Sequence, residues 1–379
     1  MAKHEAIDWL APRRAGMEGL LETLVNIESF SYDKPGVDRV LDALAAFLSG
    51  PGVSLARIPV AGFGDALKVT VAGKGGGAPV LMMGHCDTVF PTGTVAKRPY
   101  RAAGDLAFGP GVADMKSGDV LIAFVLKALA ETGGAPFPVI GLFTGDEEIG
   151  SDAGRPIIEA TAKGARAVLN MEPGRASGNV VSARKGGFWM KISVAGRAAH
   201  AGVNHAAGRN AMEALARKIV RLHALTDYES GITTNVGVVK SGIGHNTVPP
   251  LAEAEFDVRI VSEAQRAPIV AAIEEILKAE DVPGTATTWQ MMSRRVPMAE
   301  ETSRDLLARY RAAAAELGFA VDGEFTGGCA DSGFTSVMGI PTLCGLGPVG
   351  EKAHTEEEVC RLDTLVPRAQ ATAAVILGL

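Results

Sequence analysis

The stretch PVIGLFTGDEEIGS, Pro138 to Ser151, sets three consecutive acids, Asp146, Glu147 and Glu148, at the end of an apolar run. Pro138–Phe143 is too short for a helix and shows no polar face, so it reads as a strand buried on both sides, the kind parallel sheets contain. Similar runs stand at Ala66–Val71, Pro79–Met83 and Ala167–Asn170. Apolar residues at helical spacing over Gly16–Ile27, Val37–Leu48 and Asp119–Ala130 alternate with them. Runs bounded by Gly and Pro that alternate with helices predict an α/β domain, its largely parallel sheet covered on both faces.

The texture changes after about Gly178. Phe188–Val194 alternates, Arg209–His223 is helical and Thr234–Val239 reads as a strand. In Leu251–Ile260, Ala252, Ala254, Phe256, Val258 and Ile260 face one way, and Glu253, Glu255, Asp257 and Arg259 the other. A helix at Glu263–Leu277 and a strand at Thr285–Met291 complete a βαββαβ order, the ferredoxin-like α+β pattern. From about Arg295 the α/β texture returns, with a helix at Thr302–Leu317 and the apolar PTLCGL, Pro341–Leu346. The expected organisation is a discontinuous catalytic domain, residues 1–183 and 294–379, interrupted by a small domain over 184–293.

A chain of 379 residues exceeds one comfortable core, in keeping with two domains. Its net charge of −6 and lack of a basic stripe speak against nucleic acid as a partner. No apolar run is long enough for a bilayer, and MAKHEAIDWLAPRR lacks the basic-then-apolar layout of a secretion signal. The four cysteines, Cys86, Cys329, Cys344 and Cys360, lie far apart with no CxxC pair, so a reducing cytoplasm is the expected compartment.

The residues at the ends of the apolar runs carry the chemistry. LMMG leads into His85 and Asp87, GLFTG into the three acids, and VLNM into Glu172. Ligands of open α/β sheets sit at the carboxyl ends of strands. A further acid, Asp114, lies in the Gly-rich FGPGVADMKSGD before a helix, and a second histidine, His354, lies in GEKAHTEEE. A lone histidine at a strand end is usually a satisfied surface or core residue, and a lone acid there usually a helix cap. A cap needs one side chain per helix, however, and adjacent glutamates with two histidines match the donors that divalent metals take. Cys86 reads as a packing residue, pointed away from its neighbours by strand alternation.

The strings GHCDTV (84–89), GPGVADMK (109–116), GDEEIGS (145–151), MEPG (171–174), HAG (200–202) and AHTEEE (353–358) occur in order over nearly the whole chain. In these the sequence resembles the dizinc metallopeptidase and N-acyl-amino-acid hydrolase family, nearest to its glutamate carboxypeptidase (carboxypeptidase G) branch. The resemblance implies a zinc-peptidase-type catalytic domain with a mixed central sheet flanked by helices, and an inserted lid that also makes a homodimer. It implies two Zn2+ per subunit bridged by Asp114, with His85 and Glu172 completing one shell and Glu148 and His354 the other; Co2+ and Mn2+ suit the same donors. Glu147 is then the general base and Asp87 the group that holds His85.

In the inserted domain the resemblance gives His200 to the oxyanion of a partner subunit's substrate. Asn246 in GIGHNTVP and Arg259 are given to substrate, Arg259 as a fork for a free carboxylate; its bland alternative is a cross-strand pair with nearby acids. Gly328, in TGGCADSGF (326–334), is placed at the substrate pocket, where Cys329 stands in place of the family's usual Gly. Ser117 and His245 are smaller departures. The implied activity is zinc-dependent cleavage of an amide bond to release a C-terminal amino acid, glutamate above others, from small N-acyl, folate-like or short peptide substrates. An N-acetylornithine- or succinyl-diaminopimelate-type N-deacylase, or an aminoacylase, is the alternative. A nucleotide-binding oxidoreductase fits poorly, because GPGVAD has Asp114 where the fingerprint's third glycine belongs.

Overall fold

The structure, a computed structural model, describes residues 4–379; the first three residues of the expected 1–183 segment lie outside the described residues. The chain divides into two compact units, Met1–Ala183 with Met298–Thr326 and Ala330–Leu379, and Arg184–Pro297 with Gly327–Cys329.

The first unit is built on a six-stranded sheet in the order Val53–Ile58, Ala66–Val71, Val139–Thr144, Val80–His85, Ala167–Asn170, Thr342–Leu343. Its first two junctions are antiparallel and the other three parallel, so the sheet is mixed. Every residue of the two central strands is buried, which explains why their sequences run apolar without alternation. Helix Ser117–Glu131 packs on one face and is itself buried at most positions. The C-terminal helix Leu365–Leu377, which was not anticipated from the sequence, packs against it and against helices Glu5–Leu10 and Glu300–Glu316. The edge strand Val53–Ile58 was likewise unanticipated; none of its residues is buried, and without a buried face it carries little apolar pattern.

Two details of this unit position the site. The parallel strands align His85 with Thr144 and Met83 with Asn170, so the residues that follow each strand emerge at one end of the sheet. A second, antiparallel sheet of very short strands, Gly350–Glu351, Val359–Arg361, Leu106–Phe108 and Arg101–Ala103, places the segment bearing His354 beside the segment that leads to Asp114.

The second unit has the ferredoxin-like order. Strands Gly186–Ala195, Thr233–Ser241, Leu251–Ile260 and Ala286–Arg295 form one antiparallel sheet in the spatial order second, third, first, fourth. Ala252, Ala254, Phe256, Val258 and Ile260 are buried in a core shared with residues of helices Ala211–His223 and Arg266–Lys278, while Glu253 and Glu255 are exposed on the opposite face. Asn210 caps the first of these helices through the Glu213 N–H, and Ser262 with Gln265 closes a capping box before the second.

Candidate metal centre

His85 is the last residue of its strand and is buried. Its Nδ1 lies 3.1 Å from the Asp87 carbonyl oxygen and 3.3 Å from Asp87 Oδ1. Its Nε2 faces Asp114 Oδ1 at 3.2 Å and Glu172 Oε1 at 3.8 Å. The other Asp114 oxygen, Oδ2, lies 3.4 Å from His354 Nε2, which is 3.0 Å from Glu148 Oε2. Asp114 thus turns one oxygen toward each of two groups, His85 with Glu172 and Glu148 with His354.

The neighbouring glutamates take different companions. Both lie in the short turn Glu147–Ile149; Glu148 meets His354 and also lies within 4.8 Å of ligand atoms of His85 and Asp114, while a Glu147 oxygen clusters with ligand atoms of His85 and Glu172. Asp87 fixes this divergence. Its Oδ1 accepts the Glu147 N–H (3.1 Å), and its Oδ2 accepts the Glu148 N–H (3.1 Å) and the Ser31 hydroxyl (2.7 Å). One buried carboxylate therefore faces His85 and also holds the backbone of both glutamates. His354 itself sits at φ 65°, a left-handed conformation uncommon outside glycine, which fixes the direction of its side chain.

Asp146, the one acid of the run without a chemical role from sequence, accepts the N–H groups of Ala153 (2.9 Å) and Gly154 (3.0 Å) at the start of helix Gly154–Ala162. It caps that helix from seven residues away. Asp146→Ala is expected to lower stability by about 1 kcal/mol, the usual cost of a lost cap, as a shift in denaturant midpoint with bound metal unchanged.

Electrostatics show what the cluster lacks. Burial alone lowers the His85 pKa, but hydrogen bonds to Asp114 and Asp87 lift it well above the ordinary value. Hydrogen bonds to Asp114 and Glu148 raise His354 to about 10. Burial pushes Asp114 up, and the two imidazoles outweigh it and hold the carboxyl below the usual range. Burial pushes Glu148 to about 8. The carboxylates that raise both imidazoles make the cluster favourable to positive charge. Two imidazoles and three carboxylates, split by a shared aspartate, are a donor set that fits a pair of borderline divalent cations.

A histidine must be neutral to ligate, so a metal held by His354, as the resemblance implies, would have to displace its proton below about pH 10. The sign is definite: metal affinity rises with pH, by about tenfold per unit for each proton released. Calorimetric Zn2+ titrations of stripped protein between about pH 6 and 9, in buffers of different ionisation enthalpy, check this. An affinity independent of pH would contradict the ligand assignment of His354.

Several residues that sequence reasoning passed over support the centre. Glu358 is buried and accepts the N–H groups of Gly111 (3.1 Å), Ala113 (2.8 Å) and Asp114 (3.0 Å). Buried Asp331 accepts the Ser151 hydroxyl. Cys86, expected only to pack, has its Sγ 3.5 Å from buried Asp119 Oδ2. Ser31 and Asp331 sit in loops with no periodicity, so nothing in the sequence marked their part in this region.

The remaining candidates belong to the second unit. His200 and Asn246 are brought together: a bridge pairs His200 with Thr247, and the Ala201 N–H donates to the Asn246 carbonyl (2.9 Å). The exposed His200 ring accepts the Gly202 N–H at Nδ1 (3.1 Å). Arg259 is engaged on its own strand, Nε and Nη2 donating to the two oxygens of Asp257 (2.8 and 3.0 Å) and Nη1 to Cys329 Sγ (2.9 Å). The pairing with an acid is therefore within the strand, not across it. The carbonyls of Gly328 and Cys329 each lie 3.3 Å from Arg184 Nη1.

Comparison with known proteins agrees with the family resemblance of the sequence. Carboxypeptidase G2 of Pseudomonas sp. (strain RS-16) is 32% identical over 370 residues, covering 95% of this chain and 88% of that protein. An acetylornithine deacetylase of Myxococcus xanthus is 30% identical over 251 residues, 62% of this chain and 64% of the other. Among solved structures, the M20 family metallo-carboxypeptidase Sso-CP2 from Sulfolobus solfataricus superposes with a TM-score of 0.78 at 16% identity, covering 95% of this chain and 98% of that one, which shows a shared fold. The description "Peptidase family M20/M25/M40" matches residues 81–378, a span that takes in every imidazole and carboxylate of the centre from His85 to His354. The chain therefore belongs to peptidase family M20/M25/M40 and is a hydrolase of the metallopeptidase type.

Proposed function

We propose that the protein is a dizinc amidohydrolase that releases a C-terminal glutamate from N-acyl, folate-like or short peptidyl donors. The division of Asp114 between two His–carboxylate groups, with Glu147 beside them, is the observation that carries this reading. His85, Asp114 and Glu172 would hold one ion, and Asp114, Glu148 and His354 the other; Co2+ or Mn2+ suits the same donors. Bound there, the cations would polarise the scissile carbonyl and lower the pKa of the attacking water. Glu147 takes the water's proton and returns it to the leaving amine. Asp87 keeps Glu147 and Glu148 apart through their backbone N–H groups. His200 is assigned to the oxyanion of a partner subunit's substrate, Asn246 and Gly328 to substrate contacts, and Arg259 to the free carboxylate.

Further parts of the reading rest on separate supports. Strand Thr233–Ser241 is an edge whose Val238 and Val239 are exposed, which supports a homodimer formed through the inserted domain. Cys86 and Cys360 are buried thiols that form no disulfide, which supports a reducing cytoplasm. Among the described residues no helix is long and apolar enough to cross a membrane.

One observation favours a second reading, an N-acetylornithine- or succinyl-diaminopimelate-type deacylase or an aminoacylase: the Nε–Nη2 edge of Arg259 is taken by Asp257. Hydrolysis of N-acyl-glutamates, folate-like conjugates and N-acetylated basic amino acids separates the two. Glutamate conjugates are expected to lead by at least about 100-fold in kcat/KM, since a site built for a polar group rejects substrates lacking it. The reverse order supports the deacylase, and hydrolysis of none contradicts both.

A further inference from the structure

Glu356, Glu357 and Glu358 form a second run of three acids, and only the last turns inward. Glu356 and Glu357 are exposed, and Glu357 pairs with Lys352 at the surface. Glu358 is 1% exposed. A buried carboxylate is costly unless it is hydrogen-bonded, and this one spends both oxygens on three N–H groups of a single loop. Oε1 accepts from Ala113 and Asp114, and Oε2 from Gly111. Charge-assisted bonds of this kind are about twice as strong as neutral ones, and three of them fix a loop that has no ladder of its own. Gly111 lies at φ 74°, and Asp114 and Met115 depart from helical φ/ψ, so the short stretch Val112–Lys116 that leads into helix Ser117–Glu131 is irregular where it presents Asp114.

The position of Glu358 in the chain adds a second link. It stands four residues after His354 and directly before strand Val359–Arg361, which pairs with Leu106–Phe108 just ahead of Gly109. A single side chain thus ties the loop that presents Asp114 to the loop that presents His354. Its carboxylate is not among the groups of potential ligand atoms found among the described residues, so its part is played through Asp114.

We propose that Glu358 is a positioning residue that sets the Asp114 carboxylate so that each oxygen serves a different cation. This rests on the two-cation reading of the centre. Without Glu358, Asp114 keeps an oxygen for one cation but no longer divides between two. One binding step then survives and the other weakens.

The test is a calorimetric Zn2+ titration of chelator-stripped wild type, Glu358→Gln and Glu358→Asp at a temperature well below unfolding, with circular dichroism and melting curves alongside. Wild type is expected to bind two ions. In Glu358→Gln the weaker step is expected to fall about 10- to 100-fold, the usual effect of losing a group that orients a metal ligand, with Glu358→Asp losing less because it keeps the charge. A Glu358→Gln protein that melts earlier but binds both ions as wild type overturns the proposal, since that is the mark of a purely structural residue. Failure of both variants to fold overturns it in the same way. If wild type itself binds fewer than two ions, it is the two-cation reading that fails.

Discussion

Glu147→Gln is expected to keep its bound metal and lose turnover by about 10^2- to 10^4-fold, the range for removal of a general acid–base group. The amide preserves the volume of the side chain but cannot take a proton from water. The backbone anchor on Asp87 is untouched, since it is the Glu147 N–H that donates there. The fall should lie in kcat with KM little changed, because the lost interaction matters only as the proton moves. Metal content and steady-state kinetics on a glutamate conjugate measure it together. Its neighbour separates the roles: Glu148→Ala should lose metal, as the Glu148 carboxylate meets His354 at 3.0 Å. Near-normal kcat in Glu147→Gln would remove the base assignment.

Asp114 should give the second large effect, and in graded form. Asp114→Ala removes both oxygens, so under the proposed two-cation reading both ions would lose a donor and bound metal should fall close to none. Asp114→Asn leaves one oxygen and replaces the other with an amide nitrogen, which donates hydrogen bonds and cannot ligate. Whichever way the amide turns, one group keeps its oxygen and the other does not. About one ion per chain is therefore expected in Asp114→Asn, with hydrolysis lost in both variants. Two tightly held ions in Asp114→Asn would mean that the aspartate does not bridge.

Sequence showed most where burial was two-sided or cleanly one-sided. Val80–His85 and Val139–Thr144 are buried at every position, so their runs are apolar up to the last residue, and the chemistry stands at their ends, in His85 and in the acids after Thr144. Leu251–Ile260 is buried on one face only, and its alternation gave the face of each residue. The short strands Gly350–Glu351, Val359–Arg361, Leu106–Phe108 and Arg101–Ala103 are too brief for any period, yet they bring His354 and Asp114 into one neighbourhood. Glu358 was hidden because a run of acids ordinarily reads as a solvated surface, and only the fold shows its third member turned onto a turn's N–H groups. Asp146 was hidden because the helix it caps begins eight residues further on. Asp257 and Arg259 were placed on one polar face of one strand; their direct pairing followed from that spacing, although an acid on a neighbouring strand was the expected partner.

Metal analysis of the purified protein, coupled to hydrolysis of a glutamate conjugate before and after chelation, bears most directly on the central claim. Two imidazoles and three carboxylates divided by Asp114 predict about two divalent ions per chain, loss of hydrolysis on chelation, and recovery with Zn2+, Co2+ or Mn2+. Fewer than about one ion per chain together with no amide hydrolysis would contradict it.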